Sequence, residues 1–161
     1  PLQGDLQRLV QAFRNVVLNA IKYTPDGGRI EITGRLHDDE IRIVVRDSGI
    51  GIDPANHELI FQKFFRTHDP NLHSSGTTKF MGAGPGLGLT IARGVIEGHG
   101  GRIWVESEGE DRVNLPGSTF TIALPLRPPA EVRRVAIDRA QHAYDQRRQT
   151  RPLNPVKAPE Q

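Results

Sequence analysis

The sequence predicts a two-layer α/β (α+β) sandwich, in which helices cover one face of a mixed, mostly antiparallel sheet. Three observations favour this class: amphipathic helical segments are few, strand-like segments come in adjacent pairs, and a long polar stretch interrupts the second half. The predicted order is helix, two strands, short helix, polar loop, helix, two strands. The chain has 161 residues, 36% of them hydrophobic and 25% charged, which suits one globular domain.

The first predicted helix covers residues 3–23 and is amphipathic. Asp5 precedes the apolar residues as the expected N-cap, and Pro25 with the following Gly pair ends the helix in a turn. Residues recurring at helical spacing are expected to face the core. They are Leu6, Leu9, Val10, Phe13, Val16, Val17, Ala20 and Ile21.

Alternating apolar residues predict four strands. The segments "RIEITGRL" and "EIRIVVRD" flank an acidic turn at residues 37–39 and are expected to form a hairpin. The segment "DPANHELIFQKFF" begins with an Asp-Pro helix-start signal and is predicted to be a short helix. A second long helix ending near Gly98 and the strands "GRIWVES" and "STFTIALPL" complete the domain.

Residues 127–161 differ in character from the rest of the chain. They carry eight Lys/Arg against four Asp/Glu, so the basic charge belongs to this tail, and no nucleic-acid interface is indicated on the predicted domain. We expect a helix over about residues 130–148 and disorder beyond it. The chain has no cysteine, which excludes disulfides and thiolate metal sites. No apolar run approaches the roughly 18 residues that indicate a membrane span.

Glycines alternate in "MGAGPGLGL", at Gly82, Gly84, Gly86 and Gly88, directly before the second long helix. Bare backbone at a helix start offers unpaired N–H groups and a positive dipole end, which suit phosphate. The P-loop signature does not fit, because no Lys-Ser/Thr follows the glycines. The Rossmann signature does not fit either, because a polar loop precedes them. That loop, residues 66–81, is long enough to predict a functional lid.

Three polar side chains of the first helix share one stripe. Asn15, Asn19 and Lys22 follow i, i+4, i+7 spacing and fall within roughly 60° of arc. Two amide oxygens and an ammonium so placed can hold a hydrated Mg²⁺ and its phosphates. An ordinary solvated face is the alternative interpretation of the same pattern.

Asp47 ends the second predicted strand on the same face as its apolar residues. Because Ile43, Val45 and Asp47 share parity, the carboxylate points toward the core, where it needs a partner. The exocyclic amino group of adenine is one such partner, and Gly49 and Gly51 would let a base lie close to the backbone. A carboxylate at the exposed sheet edge, or one capping a turn, is the alternative.

Four segments resemble, in order and spacing, the N, G1, F and G2 boxes of sensor histidine kinases. They are "NVVLNAIKYT", "DSGIGI", "FQKFFR" and "GAGPGLGL". Over about residues 1–126 the chain is therefore similar to the ATP-binding catalytic domain of these kinases, which has the Bergerat fold of the GHKL superfamily. The resemblance implies a mobile ATP lid over about residues 66–81, while the tail lies outside it.

The resemblance implies a role for each matching residue. Asn19 matches the Mg²⁺-coordinating position, and Asn15 lies one turn before it. Lys22 matches a phosphate contact, so these three are the expected catalytic residues. Tyr23 matches a position beside the adenine or ribose, and Asp47 the residue that reads adenine. The other positions expected to bind ATP are Gly49, Gly51, Ile52, Lys63, Arg66, Lys79, Gly82, Gly84, Gly86, Leu87 and Gly88, with Phe61 and Phe64 anchoring one edge of the lid.

The resemblance also implies the reaction. Relatives that hydrolyse ATP carry a Glu where this chain has Asn15, so we expect a poor ATPase that presents the γ-phosphate of Mg-ATP to a histidine. None of the six histidines lies in the H-E-x-R-T-P-like context of a phosphoacceptor. The acceptor is therefore expected N-terminal to Pro1, in a dimerisation domain that passes the phosphate to a response regulator.

The assembly and location follow from the same resemblance. We expect the fragment to be monomeric and cytoplasmic, without membrane contact of its own, and the parent kinase to be a homodimer that is either membrane-anchored or soluble. Two other functions stay open at this point. One is a non-catalytic nucleotide-binding module that signals ATP occupancy to a partner, and the other is an anti-sigma-factor serine kinase.

Overall fold

The computed structural model of the chain describes residues 2–65, 86–130 and 132. The chain divides into two compact units, Pro1–Pro128 and Pro129–Gln161. The predicted lid lies outside the described residues, as does nearly all of the predicted tail helix. Across the described ranges, no helix combines the length and apolar character needed to cross a membrane.

The secondary structure of the first unit follows the predicted order. Its elements are α1 (Leu6–Tyr23), β1 (Ile30–His37), β2 (Glu40–Asp47), two 3-10 turns (Pro54–Asn56 and Leu59–Phe61), α2 (Gly88–Glu97), β3 (Arg102–Glu106) and β4 (Ser118–Pro125). The predicted N-cap of α1 is confirmed, because the Asp5 carboxylate accepts the Arg8 N–H at 3.1 Å.

The four strands form one sheet with the order β1-β2-β4-β3. All three pairings among these described strands are antiparallel, so the two-layer α/β class is confirmed and no parallel pair occurs within this part of the chain. The register places Val45 opposite Phe120 and Asp47 opposite Ser118. Since directly opposed residues share a face, the buried pair Val45 and Phe120 carries Asp47 and Ser118 onto the core side.

The two helices pack against each other and against this apolar face of the sheet. Small residues line their contact, since Ala12 and Ala20 of α1 and Ala92 of α2 are fully buried. Their packing brings the N-terminal end of α2 beside the middle of α1, where the side chain of Asn15 lies next to Gly88. The fold thus joins two segments that are distant in the sequence.

The predicted core face of α1 is partly wrong. Leu9, Val16 and Ala20 are buried as expected. Leu6, Val10 and Ile21, however, are 74%, 57% and 41% exposed. The apolar residues of α1 cover an arc wider than its contact with α2 and the sheet, so one edge of the predicted stripe faces outward.

The short helix predicted from "DPANHELIFQKFF" is confirmed only in part, because it is not continuous. The chain forms two 3-10 turns here, and the first is capped by the Asp53 carboxylate, which accepts the Ala55 N–H at 2.8 Å. The second ends at Gln62, whose backbone is extended and cannot continue a helix. This break buries Phe61 edge-on against Phe120, with ring centroids 6.4 Å apart, while Phe64 turns outward.

Candidate functional site

The site centres on Asp47, at the end of β2. The residue is only 5% exposed, as the strand parity predicts. Its Oδ1 accepts two backbone N–H groups, from Gly49 at 2.9 Å and from Ser118 at 3.2 Å, and the Ser118 hydroxyl also hydrogen-bonds the carboxyl. Both backbone donors use the same oxygen. The carboxyl is therefore fixed in orientation, and within the described ranges no backbone donor occupies Oδ2.

Burial raises the pKa of the Asp47 carboxyl above its ordinary value, because desolvation outweighs the hydrogen bonds from Gly49 and Ser118. Among the described residues, the groups that hydrogen-bond the Asp47 carboxyl, those of Gly49 and Ser118, are all uncharged. A buried acid held by these neutral donors is a hydrogen-bond acceptor. It suits a ligand that brings an uncharged N–H group.

The loop that follows Asp47 is held on both sides by the chain itself. On one side, the Ile50 N–H donates to the carbonyl of Tyr23 at 3.1 Å, at the end of α1. On the other, the β3–β4 loop (residues 107–117) contacts it through the Asp111 N–H, which donates to the Ile50 carbonyl at 2.7 Å. Ile50 itself is buried, so this loop is a fixed wall of the site.

Two glycines of this loop lie in close contact with neighbouring backbone. A Cβ added at Gly49 would collide with the carbonyl of Tyr23, and one added at Gly51 with the carbonyl of Gly109. Gly51 also has a φ of +75°, which favours glycine. The structure requires these glycines for close packing of the chain on itself. The expectation that they also let a base lie close to the backbone stays a prediction.

Asn15 joins the two helices at the other side of the site. Its Nδ2 donates to the carbonyl of Gly88 at 3.0 Å, in the first turn of α2. A solvated face therefore does not describe Asn15. The hydrogen bond holds the start of α2 against α1.

The start of α2 is open in the described part of the chain. Leu87 occupies the N-cap position and provides no side-chain hydrogen bond to the first turn. Thr90 lies in the same turn, and its Oγ1 is buried without a partner among the described residues. Unpaired donors at a helix N-terminus, with a positive dipole end, fit the phosphates of a nucleotide.

The remaining predicted residues of α1 lie on the same side as Asn15. Asn19, Lys22 and Tyr23 are half-buried, and the Lys22 ammonium lies 4.8 Å from the centre of the Tyr23 ring. No cluster of three His, Asp or Glu side chains that could hold a metal occurs within the described ranges. The amide oxygen of Asn19 fits Mg²⁺ as one ligand among phosphate oxygens and waters, which is how this ion is commonly bound.

Two described residues that flank the predicted lid, Phe64 and Gly86, lie together. The Phe64 N–H donates to the carbonyl of Gly86 at 3.2 Å, and Gly86 has a φ of +67°. The Phe64 side chain is 70% exposed, and its expected role in anchoring one edge of the lid stays a prediction. Lys63 beside it is exposed, whereas Arg66, Lys79, Gly82 and Gly84 lie outside the described residues.

Sequence reasoning missed Ser118, Ser107 and Arg93. Ser118 supplies donors to Asp47, and Ser107 joins the loop after Asp47 to the β3–β4 loop. Arg93 lies over the Phe61 ring at 5.4 Å and pairs with Glu58 at 2.9 Å, which ties α2 to the second 3-10 turn. The pairing of β2 with β4 is the signal that would have pointed to Ser118 as a neighbour of Asp47.

Most of the chain matches a known protein family. A family model described as histidine kinase-, DNA gyrase B- and HSP90-like ATPase matches residues 4–128. Sensor histidine kinase WalK of Bacillus subtilis is 35% identical over 130 residues, which is 79% of this chain and 19% of WalK. Sensor-like histidine kinase SenX3 of Mycobacterium tuberculosis is 41% identical over 122 residues, which is 76% of this chain and 27% of SenX3.

Solved structures show the same likeness. The mycobacterial sensor histidine kinase MprB has a TM-score of 0.64 at 33% identity, covering 80% of this chain and 76% of that one. The catalytic domain of histidine kinase ThkA has a TM-score of 0.61 at 34% identity, covering 79% and 73%.

The chain belongs to the family of histidine kinase-, DNA gyrase B- and HSP90-like ATPases. Within that family, it groups with the catalytic domains of sensor histidine kinases, which confirms the resemblance seen in the sequence. The chain spans between 19% and 27% of the length of WalK and SenX3.

Proposed function

We propose that this domain binds Mg-ATP and donates the γ-phosphate to a histidine of a separate dimerisation and phosphoacceptor domain, in two-component signal transduction. The observation that carries the proposal is the buried carboxyl of Asp47, which the described residues hold by uncharged donors, those of Gly49 and Ser118. A carboxylate so placed accepts the exocyclic amino group of adenine. Guanine presents an oxygen at the corresponding position and would leave the carboxylate unpaired.

The phosphates belong at the start of α2. Asn15 fixes this helix end against α1, the helix that carries Asn19 and Lys22. Lys22 would contribute a positive charge and Asn19 an oxygen ligand to Mg²⁺. Bound Mg²⁺ would neutralise phosphate charge, and the residues of this chain would hold and orient the nucleotide.

The side chain of Asn15 supports phosphotransfer over hydrolysis. Its amide nitrogen already donates to the Gly88 carbonyl, and an amide is not a base that could activate water. We therefore expect slow ATP hydrolysis by the domain alone. The same site without a productive acceptor would be a non-catalytic nucleotide-binding module, which is the second candidate.

The partners and the location are part of the same proposal. ThkA, which is 34% identical to this chain over the matched region, has been solved in complex with the response regulator protein TrrA. By analogy, we expect this domain to act on a phosphoacceptor domain of its own kinase and, through it, on a response regulator in the cytoplasm.

Phosphotransfer to an added acceptor domain tests the proposal. The domain is incubated with γ-labelled ATP and the phosphoacceptor domain of its own kinase, with an acceptor whose histidine is replaced by glutamine as the control. Label on the intact acceptor alone would support a histidine kinase. Label on neither acceptor, despite measurable ATP binding, would favour the non-catalytic module. Acid-stable label on serine would indicate a serine kinase.

A further inference from the structure

Ser107, the first residue after β3, connects three segments around Asp47. Its Oγ accepts the Ile52 N–H at 3.0 Å, at the far end of the loop that follows Asp47. The same hydroxyl donates to the Gly117 carbonyl at 2.7 Å, with the Gly109 carbonyl as a second acceptor at 3.2 Å. One small side chain thus satisfies a backbone donor and a backbone acceptor on opposite sides.

The Gly117 carbonyl leads directly to the donor that fixes Asp47. It belongs to the peptide unit whose N–H is that of Ser118, and this N–H donates to Asp47 Oδ1. The Gly117 N–H donates in turn to the Gly49 carbonyl at 2.9 Å, and the Gly49 N–H is the other backbone donor to Oδ1. Ser107 therefore hydrogen-bonds the peptide that carries one backbone donor to the Asp47 carboxyl, and Gly117 of that peptide hydrogen-bonds Gly49, which carries the other donor.

The packing around Ser107 leaves little room for another arrangement. A Cβ added at Gly51 would meet the Ser107 hydroxyl and Pro116 as well as the Gly109 carbonyl. Gly117 has a φ of +76°, and a Cβ there would collide with the Asp47 carbonyl. In this close contact, the Ser107 hydroxyl sets the spacing between the loop that follows Asp47 and the β3–β4 loop.

We propose that Ser107 is a positioning residue for adenine selectivity, which acts by orienting the Asp47 carboxyl through the Gly117–Ser118 peptide and the loop before Ile52. This inference rests on the proposed function, because it assigns the selectivity of that same site. Without the hydroxyl, the Ile52 N–H and the Gly117 carbonyl lose their partner, and the orientation of the Asp47 carboxyl is no longer enforced.

The test compares two ligands that differ only at the exocyclic amino group. Binding of ADP and of purine riboside 5′-diphosphate, in which hydrogen replaces the 6-amino group, is measured by calorimetry on the 161-residue chain. In the wild type, the amino group is expected to raise affinity by about tenfold or more. In Ser107→Ala, the ratio of the affinity for ADP to the affinity for purine riboside diphosphate should fall below about threefold, while the affinity for the purine riboside diphosphate stays nearly unchanged. A general loss of structure would instead weaken both ligands together.

Two further variants complete the design. Ser107→Thr keeps the hydroxyl and should restore the ratio. Asp111→Asn weakens the β3–β4 loop without touching Ser107, because the Asp111 carboxylate accepts hydrogen bonds from Val113 and Asn114 of its own loop. It should therefore keep the wild-type ratio. If Ser107→Ala does not fold, Ser107→Cys replaces it, since a thiol of similar size is a weak donor and acceptor.

Each outcome is decisive. A wild-type ratio in Ser107→Ala, or in Ser107→Cys if alanine fails to fold, would overturn the positioning role and leave the proposed function intact. A similar fall of the affinity ratio in Asp111→Asn would also overturn the positioning role of Ser107, because any loosening of the β3–β4 loop would then lower the selectivity for adenine. A wild type that binds neither ligand, or does not distinguish them, would remove the proposed function and this inference together.

Discussion

The Asp47 carboxyl lies where an apolar side chain would be less costly to bury, since its neighbours on the same face of β2 and β4 include Val45 and Phe120. Its position follows from strand parity, which the sequence predicts because side chains alternate with a period of two residues. The donors that hold it could not be predicted in the same way. Ser118 is 71 residues away along the chain, and only the pairing of β2 with β4 places it opposite Asp47.

The raised pKa of Asp47 gives a prediction for stability against pH. The carboxyl loses its proton more readily in the unfolded chain, where its pKa has the ordinary value of 3.8, than in the folded chain, where its pKa is raised. The unfolded state therefore binds fewer protons between the two pKa values, and the free energy of unfolding falls as pH rises through that window. Above the window the cost of the buried charge is fully present, and below 3.8 it vanishes.

Replacing Asp47 tests the predicted direction of this change in the free energy of unfolding with pH. Asp47→Asn should be at least as stable as the wild type at pH 7, and any advantage should shrink as pH falls toward 3.8. Urea denaturation of both proteins across this range measures the difference. Asp111→Asn is the matched control, because hydrogen bonds from Asn114 and Val113 lower the pKa of Asp111, and its replacement should lower stability at neutral pH. An Asp47→Asn variant clearly less stable than the wild type at pH 7 would contradict the account.

At the scale of elements, the period of a helix predicts where α1 lies but not which apolar residues it buries. Leu9 and Val10 are adjacent and equally apolar, yet only Leu9 meets the core. The burial is decided by where α2 and the sheet contact α1, and local periodicity carries no information on that contact. The 3-10 turns before Phe61 escaped prediction for a similar reason, because burial of that ring against Phe120 is a tertiary effect.

The loop after Asp47 offers a second prediction, based on two glycines of similar backbone geometry. Gly51 and Gly27 have φ values of +75° and +83°, but an added Cβ meets the β3–β4 loop only at Gly51. Gly27→Ala should lower the free energy of unfolding by about 1 kcal/mol, from the left-handed backbone alone. Gly51→Ala should lower it by roughly 3 kcal/mol or more, from the added collision. Denaturant melts compare the two, and equal losses would refute the close packing described for this loop.

At the scale of the whole molecule, the fold brings together segments that the sequence shows only as separate motifs. Asn15 and Gly88 are 73 residues apart and share a hydrogen bond, and Asp47 is joined to Ser118 at the start of β4. The meeting of α1 with the start of α2 was predictable in outline, since both carry groups that suit phosphate. The contribution of Ser107 was not, because a lone serine after a strand has no pattern that marks it.

Binding of a non-hydrolysable ATP analogue tests the central claim most directly. Calorimetric titration is performed with and without Mg²⁺ on the wild type and on Asp47→Asn, with the corresponding GTP analogue as the control. The account predicts Mg²⁺-dependent binding of the ATP analogue to the wild type, rejection of the GTP analogue, and loss of most of the affinity in Asp47→Asn. Equal binding of both nucleotides, or unchanged affinity in Asp47→Asn, would contradict the assignment of Asp47 as the residue that reads adenine.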